Sequence, residues 1–304
     1  MGLSRRLAIV LTAIGLALAG CGGNDSASTR DVVTIAAFGF SESRVLAELY
    51  GQALEAEGIP VERAFDLASR EVVEPALEQG VVDFVPEYSG TALAFVTRGA
   101  GEVTADPAVT HRLLRETMAA RGVTALDPAP AQNQNAIAVT SDTAARLELA
   151  NVSDLGPVAG TLRFGGPPEC PERRFCLGGL RNVYGLNFKE FVPLDAAGPL
   201  TAGALEGAEV DVGLMFTTSP VVSDKNLVLL RDDKQLQPAE NVTPVVRTAV
   251  VDRYGERLRN AVNAVSSLLT TEELVRLNHS VEVAGGAPVE AVRTWLQGHG
   301  LGTR

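Results

Sequence analysis

The sequence predicts an α/β protein with two lobes, each a mixed β-sheet flanked by helices, joined by two chain crossings. Strand-like apolar runs alternate with helical runs from Val32 to Thr91, and this alternation is typical of α/β sheets. A polar segment at 127–135 then gives way to the apolar run 136–139, and the segment 242–247 carries the chain back. Two crossings between two lobes predict a cleft with a hinge, and such clefts are preferred ligand sites.

The elements of the first lobe follow one another at short spacing. A strand at 32–37 precedes a helix in which apolar residues from Val45 to Leu54 recur at helical spacing until Gly58. Ser41 is expected to cap the start of this helix, and Glu42 is expected either to cap it as well or to contact ligand. Further strands are predicted at 61–65 and 82–85, and further helices after Ser69, from Thr91 and at 110–121.

The second lobe is predicted from strands that end in loops, where an α/β sheet presents its ligand contacts. These strands lie at 136–139, 162–164, 210–216 and 227–230, and three helices at 256–269, 271–278 and 288–296 close the chain. The predicted bounds are 31–135 together with 243–304 for the first lobe, and 136–242 for the second.

The N-terminal segment has the features of a targeting signal. Arg5 and Arg6 precede an apolar run at 7–19, which is too short to cross a membrane comfortably. The residues from Leu18 to Cys21 resemble a bacterial lipobox, in which the cysteine carries lipid and becomes the new N-terminus. We therefore expect a signal peptide at 1–20, lipid attachment at Cys21 and a flexible tether at 21–30; an ordinary secretory signal is the alternative.

Two further cysteines, Cys170 and Cys176, enclose a short polar loop. In an exported chain a disulfide between them is favoured over two free thiols. Neither histidine nor a third cysteine lies nearby in the sequence, so no metal site is expected.

Charge and motifs restrict the class of function. The formal net charge is −11 without a basic patch, so nucleic acid is not an expected partner. The sequence contains neither a Gly-x-Ser-x-Gly elbow, nor a phosphate-binding glycine loop, nor a His-Glu-x-x-His motif. We therefore expect a protein that binds without catalysing a reaction and needs no cofactor.

Three motifs point to a known family. The segments Phe40 to Leu46, Ala76 to Asp83 and Pro86 to Thr91 resemble the substrate-binding proteins of osmoprotectant ABC transporters, which handle glycine betaine, choline and proline betaine. The resemblance runs through the chain from residue 31 to the last helix. It implies a periplasmic-binding-protein fold of the second topological type, and a lipoprotein that serves a membrane permease and its ATPase.

The same resemblance implies an aromatic cage for the ligand. A quaternary ammonium group cannot donate hydrogen bonds, so aromatic faces hold it, each contributing about 0.5–2 kcal/mol. Members of the family use a cage of tyrosines, and Tyr88 and Tyr184 match two of its positions. Thr91 matches a hydroxyl that helps to bind a ligand carboxylate.

Other positions depart from the family pattern. Alanine stands in place of a cage ring at Ala136, the segment 237–241 has no tyrosine, and Phe38 stands where lysine or glutamine is common. Phenylalanines are expected to replace the missing rings in part, and polar groups are expected to contribute hydrogen bonds. The predicted ligand contacts are Phe38, Phe40, Ser41, Tyr88, Thr91, Asn133, Asn135, Tyr184, Phe216 and Thr217.

The sequence thus predicts a monomeric, lipid-anchored receptor on the extracytoplasmic face of the cell membrane. It is expected to capture a small compatible solute, such as glycine betaine or choline, and to deliver it to an ABC permease. Three alternatives stay open: a receptor of the same fold for a larger or less cationic ligand, a sensing or interaction module without transport, and an exported hydrolase.

Overall fold

A computed structural model describes residues 31–65, 67–100 and 103–301 of the chain. The predicted signal peptide, the tether and Cys21 lie outside these residues. The strands are β1 Val33–Ala36, β2 Val61–Ala64, β3 Phe84–Tyr88, β4 Val123–Ala125, β5 Asn135–Thr140, β6 Arg163–Gly166, β7 Glu190–Pro193, β8 Val212–Phe216, β9 Leu227–Leu230 and β10 Val242–Arg247. The helices are α1 Ser41–Ala56, α2 Arg70–Glu78, α3 Ser89–Val96, α4 Pro107–Ala119, α5 Ser141–Leu147, α6 Leu177–Tyr184, α7 Pro199–Glu206, α8 Val221–Asp224, α9 Thr248–Tyr254, α10 Glu256–Leu268, α11 Thr271–Glu282 and α12 Pro288–Gly298.

The strands form two five-stranded sheets of matching layout. The first has the order β2-β1-β3-β10-β4 and the second the order β7-β6-β8-β5-β9. In each sheet four strands run in the same direction, and the strand that arrives from a crossing, β10 or β5, is antiparallel to both of its neighbours. The predicted fold of two lobes with mixed sheets flanked by helices is confirmed; β4 and β7 are strands that the sequence pattern did not indicate.

Each sheet is buried on both faces, because successive side chains of a strand point to opposite sides. In the first lobe Ile35 and Phe84 pack against α1 and the C-terminal helices, while Ala36 and Val85 pack against α2, α3 and α4. The second lobe has the same arrangement, with its apolar residues divided between two clusters. No helix within the described residues is both long and apolar enough to span a membrane.

The two crossings run side by side between the sheets. Residues 126–134 lead from β4 to β5 and residues 231–241 lead from β9 to β10. They are joined by a β-bridge between Gln132 and Asn241, and the Asn133 amide donates to the Glu240 carbonyl at 3.1 Å. The crossings therefore form a short paired hinge.

The start of α1 differs from the expectation. Ser41 is the first helical residue, and Phe40 takes the N-cap position without a side-chain capping bond. The next serine, Ser43, accepts a hydrogen bond from the Phe38 amide at 2.8 Å instead. The prediction of Ser41 as a cap was wrong, because the loop before α1 is held by Ser43, the third residue of the helix.

Candidate ligand-binding site

A cavity of about 880 Å³ lies between the two lobes. This volume is within the range of small-molecule sites in proteins. Both lobes and both crossings contribute to its lining. Seven of the predicted contacts line it, namely Phe38, Phe40, Tyr88, Thr91, Asn133, Asn135 and Phe216.

Four aromatic rings of the lining form a contact group centred on Phe40. The centroid of Phe40 lies 6.1 Å from that of Phe38, 6.2 Å from that of Tyr88 and 5.3 Å from that of Phe216. The rings come from the loop after β1 and from the ends of β3 and β8. The carboxyl ends of strands in both sheets thus meet at one place, where an α/β protein usually binds its ligand.

Three predicted contacts are absent from the described residues that line the cavity: Tyr184, Ser41 and Thr217. Tyr184 packs in the core of the second lobe, where its hydroxyl donates to Asp232 and accepts from the Lys234 amide. The Thr217 hydroxyl accepts a hydrogen bond from the Gln134 amide at 2.9 Å. These groups hold the second lobe and its junction with the crossing.

The loop closed by the disulfide supplies lining that the sequence pattern did not indicate. Cys170 and Cys176 are bonded, as predicted, and we call residues 170–176 the disulfide loop. Its Phe175 lines the cavity, and its Arg173 lies with the guanidinium carbon 5.6 Å from the ring centroid of Phe95 on α3. The two cysteines were the signal in the sequence, but spacing alone did not show which way the loop faces.

The disulfide loop also connects the lobes. Arg173 donates to Glu71 on α2 at 2.8 Å, and Arg174 donates to the Gly99 carbonyl at 3.4 Å. Burial, together with the nearby Arg70 guanidinium, lowers the pKa of Arg173. The Arg173 Nε atom is buried and has no hydrogen-bond partner among the described residues.

A buried carboxylate, Glu42, holds the back of the site. It accepts four side-chain hydrogen bonds: from Tyr88 at 2.6 Å, Asn133 at 2.7 Å, Thr218 at 2.5 Å and Asn278 at 2.6 Å. We call these five residues the Glu42 cluster. Burial, and then the Glu42 carboxylate, raise the pKa of Tyr88 well above its usual value. Tyr88 is therefore a neutral phenol with a fixed ring orientation.

A second buried cluster lies beside α2. Arg70 makes two 2.7 Å hydrogen bonds to the two carboxylate oxygens of Glu87 on β3, and its guanidinium carbon lies 5.0 Å from the centroid of the Phe38 ring. Glu74 is 2% exposed, lines the cavity, and neither of its oxygens accepts a hydrogen bond from a described residue. Burial and the Glu87 carboxylate raise the pKa of Glu74 well above its ordinary value.

Glu240, from the second crossing, lies at the N-terminus of α3. Its carboxylate accepts hydrogen bonds from the amides of Gly90 and Thr91, both at 3.1 Å, and from the Thr91 hydroxyl. Burial raises the pKa of Glu240 to about 7, although the three donors from α3 act in the opposite direction. We call Arg70, Glu74, Glu87 and Glu240 the Arg70 cluster.

These groups suit the binding of an organic cation. Across the described residues no group of three or more histidine, cysteine, aspartate or glutamate side chains is placed to hold a metal ion. The cavity combines aromatic faces with buried carboxyl groups, and both features stabilise an organic cation.

Comparison with known proteins agrees with this chemistry. A family described as the substrate binding domain of ABC-type glycine betaine transport system matches residues 31–298. The chain is 29% identical over 273 residues to a glycine-betaine-binding protein of Pseudomonas aeruginosa, covering 86% of each chain. It is 27% identical over 284 residues to the carnitine transport binding protein OpuCC of Listeria monocytogenes, covering 92% of this chain and 89% of the relative.

A solved structure gives the same result. The crystal structure of a glycine betaine/carnitine/choline ABC transporter protein superposes with a TM-score of 0.69 at 25% identity, covering 88% of this chain and 99% of the other. These findings confirm the resemblance that the three sequence motifs indicated. The chain belongs to the family of substrate-binding domains of ABC-type glycine betaine transport systems.

Proposed function

We propose that this protein captures a small quaternary ammonium solute in the cavity between its lobes and delivers it to an ABC permease. The observation that carries the proposal is the contact group of Phe38, Phe40, Tyr88 and Phe216 on the cavity wall. A trimethylammonium group is attracted to aromatic faces and needs no hydrogen-bond acceptor. These four rings are the proposed replacement for the cage of tyrosines found in the family.

The site residues in this proposal have distinct roles. The four rings hold the methylated cation, and the polar groups of Thr91, Asn133 and Asn135 shape the remaining wall. Asn133 and Asn135 are already engaged, with Glu42 and with the Phe175 carbonyl respectively. They therefore position neighbouring groups of the cavity and supply few free donors to a ligand.

The proposed location and partners follow from the leader sequence and the family. The protein acts on the extracytoplasmic face of the cell membrane, as a monomer held there by lipid on Cys21. Ligand binding closes the lobes about the paired crossings, and the closed form docks on the permease with its ATPase. It carries out no chemical reaction on the solute.

A larger ligand of the same class is the second candidate. A cavity of about 880 Å³ is at the upper end of the volumes usual for small-molecule sites, and Phe95 and Phe175 extend its apolar lining beyond the four rings. A solute with a longer chain, such as carnitine, would use this additional wall.

Isothermal titration calorimetry with choline, glycine betaine, carnitine and proline betaine tests the proposal. Replacing Tyr88 by alanine is expected to lower the affinity for the tightest-binding solute at least tenfold, about 1.4 kcal/mol, because one ring of the group is lost. Phe40→Ala is expected to have an effect of similar size without removing a hydrogen bond of the Glu42 cluster, since the Phe40 side chain carries no polar group.

Tyr184→Phe is the matched control. It removes a tyrosine hydroxyl in the second lobe but leaves the cavity lining unchanged, so the affinity should stay the same. Binding of none of these solutes, or unchanged affinity in correctly folded Tyr88→Ala and Phe40→Ala proteins, would contradict the proposal. Uptake of labelled solute by cells that express the chain with a cognate permease would separate transport from sensing.

A further inference from the structure

We propose that Glu240 occupies the anion-binding end of helix α3, so that the cavity selects a cationic solute without a carboxylate over a zwitterionic one. Choline is a representative of the favoured class and glycine betaine of the disfavoured class. This inference rests on the proposed function, because it concerns which quaternary ammonium solute the same cavity prefers.

The first step concerns the donors at the start of α3. The amides of Gly90 and Thr91 and the Thr91 hydroxyl are the groups that a ligand carboxylate would use there, since the positive end of a helix dipole attracts anions. All three donate to the Glu240 carboxylate. A ligand carboxylate must therefore displace a carboxylate that the chain itself supplies.

The second step is that Glu240 is held firmly in this position. A Cβ atom at Gly90 would lie 2.5 Å from Pro238 Cγ and 2.7 Å from the Ala239 carbonyl oxygen. Only glycine at this position lets the crossing approach the helix end so closely. The Glu240 amide donates to the Gln132 side chain, and its carbonyl accepts from the Asn133 amide. Both crossings thus fix the residue.

The third step is the charge balance of the buried groups. Arg70 forms its ion pair with Glu87. Glu74 and Glu240 also lie on the cavity wall, and within the described part of the chain no cationic side chain forms a hydrogen bond with either of them. Glu74 in particular has two buried oxygens without a donor. A ligand cation would stabilise both carboxylates, whereas a second carboxylate in the same cavity would be repelled.

Of the arginines that line the cavity, Arg173 offers a carboxylated solute another place. Arg173 lines the cavity from the disulfide loop, and its buried Nε atom has no partner among the described residues. The test therefore has to distinguish a carboxylate bound at Thr91 from one bound at Arg173. Single substitutions at these two residues do so.

Titration calorimetry of the full chain at pH 8 with choline and with glycine betaine tests the inference. The wild-type protein is expected to bind choline at least tenfold more tightly than glycine betaine. Glu240→Ala frees the three donors. We expect it to weaken the binding of choline and to strengthen the binding of glycine betaine, so that the ratio of the two affinities falls at least fivefold. Glu57→Ala is the control, because Glu57 is an exposed carboxylate at the end of α1 and is not among the described residues that line the cavity; it should leave the preference unchanged.

Thr91→Val provides a second measurement if Glu240→Ala does not fold. Because the Thr91 hydroxyl already donates to Glu240, loss of this hydroxyl should not weaken the binding of glycine betaine more than that of choline. Equal or tighter binding of glycine betaine by the wild type would overturn the inference. So would a selective loss of glycine betaine in Thr91→Val, or an Arg173→Ala change that abolishes tight glycine betaine binding. In those cases the proposed function would stand. If none of the four solutes (choline, glycine betaine, carnitine and proline betaine) bound to the protein, both the proposed function and this inference would be overturned.

Discussion

Glu42 on α1 and Glu74 on α2 are both carboxyl groups with 2% exposure, but their surroundings are opposite. Glu42 accepts hydrogen bonds from four side chains, whereas neither oxygen of Glu74 accepts one from a described residue. Burial of a carboxylate is tolerated when its oxygens are satisfied, and it is costly when they are not. The same degree of burial therefore marks a structural group in one case and an unsatisfied group on the cavity wall in the other.

The donors to Glu42 show what that group holds together. Asn133 belongs to the first crossing, Thr218 follows β8 of the second lobe, and Asn278 lies on α11 of the first. Tyr88 adds the end of β3 and one ring of the cavity. The Glu42 cluster thus joins the hinge, both lobes and the aromatic wall through a single carboxylate.

The largest expected effect is that of Glu42→Ala. The substitution leaves four buried donors without their acceptor, and each unsatisfied group costs about 1–3 kcal/mol before water or relaxation offsets part of it. We expect the free energy of unfolding to fall by about 3–5 kcal/mol. Urea unfolding followed by circular dichroism measures this change.

Glu57→Ala serves as the control for that measurement. Glu57 is exposed at the C-terminal end of the same helix, so its loss should change the unfolding free energy by no more than about 0.5 kcal/mol. If Glu42→Ala behaved like Glu57→Ala, the Glu42 cluster would not be a stabilising feature.

Glu240 is intermediate between the satisfied Glu42 and the unsatisfied Glu74. Its carboxylate has three hydrogen-bond donors, but burial raises its pKa from 4.5 to about 7. Arg70 opposes this rise and Glu87 adds to it. Because the folded state holds the proton more tightly than the unfolded state, the stability contributed by this group falls as pH rises from about 4.5 to 7 and is then constant. A shift of this size corresponds to about 3 kcal/mol.

Glu240→Gln removes that ionisation. Relative to the wild type, the variant is expected to gain up to about 3 kcal/mol of stability between pH 4.5 and pH 8. Unfolding curves of both proteins at several pH values measure the difference, in which the titration of other groups cancels. A constant difference across this range would show that Glu240 does not titrate there.

Local sequence patterns predicted the parts of this molecule that depend on near neighbours. The strand predicted at 82–85 and the helix predicted from Thr91 are found as β3 Phe84–Tyr88 and α3 Ser89–Val96, although β3 continues through Pro86 and leads into α3 without a loop. The disulfide followed from the pair Cys170 and Cys176. The partners of Glu42 lie as far as 236 residues away in the sequence. No local pattern could therefore show whether Glu42 caps its helix, contacts the ligand or, as the structure has it, accepts hydrogen bonds from four distant side chains. Tyr184 shows the same limit, since its match to a motif did not reveal that its ring packs inside the second lobe.

The smallest effect, and the sharpest comparison, comes from making the same substitution at both carboxyl groups. Glu74→Gln replaces a group whose pKa is raised by burial and by Glu87, so it should stabilise the protein, and more at pH 8 than at pH 5, because a raised pKa makes ionisation of the buried acid increasingly costly as pH rises. Glu42→Gln should be destabilising at both values, because its amide turns a donor towards side chains that donate to the carboxylate. Thermal and urea unfolding of the two variants at pH 5 and pH 8 measure these changes. Equal effects of the two substitutions would mean that hydrogen-bond satisfaction does not distinguish the two sites, and that Glu74 finds a donor when the protein is in solution.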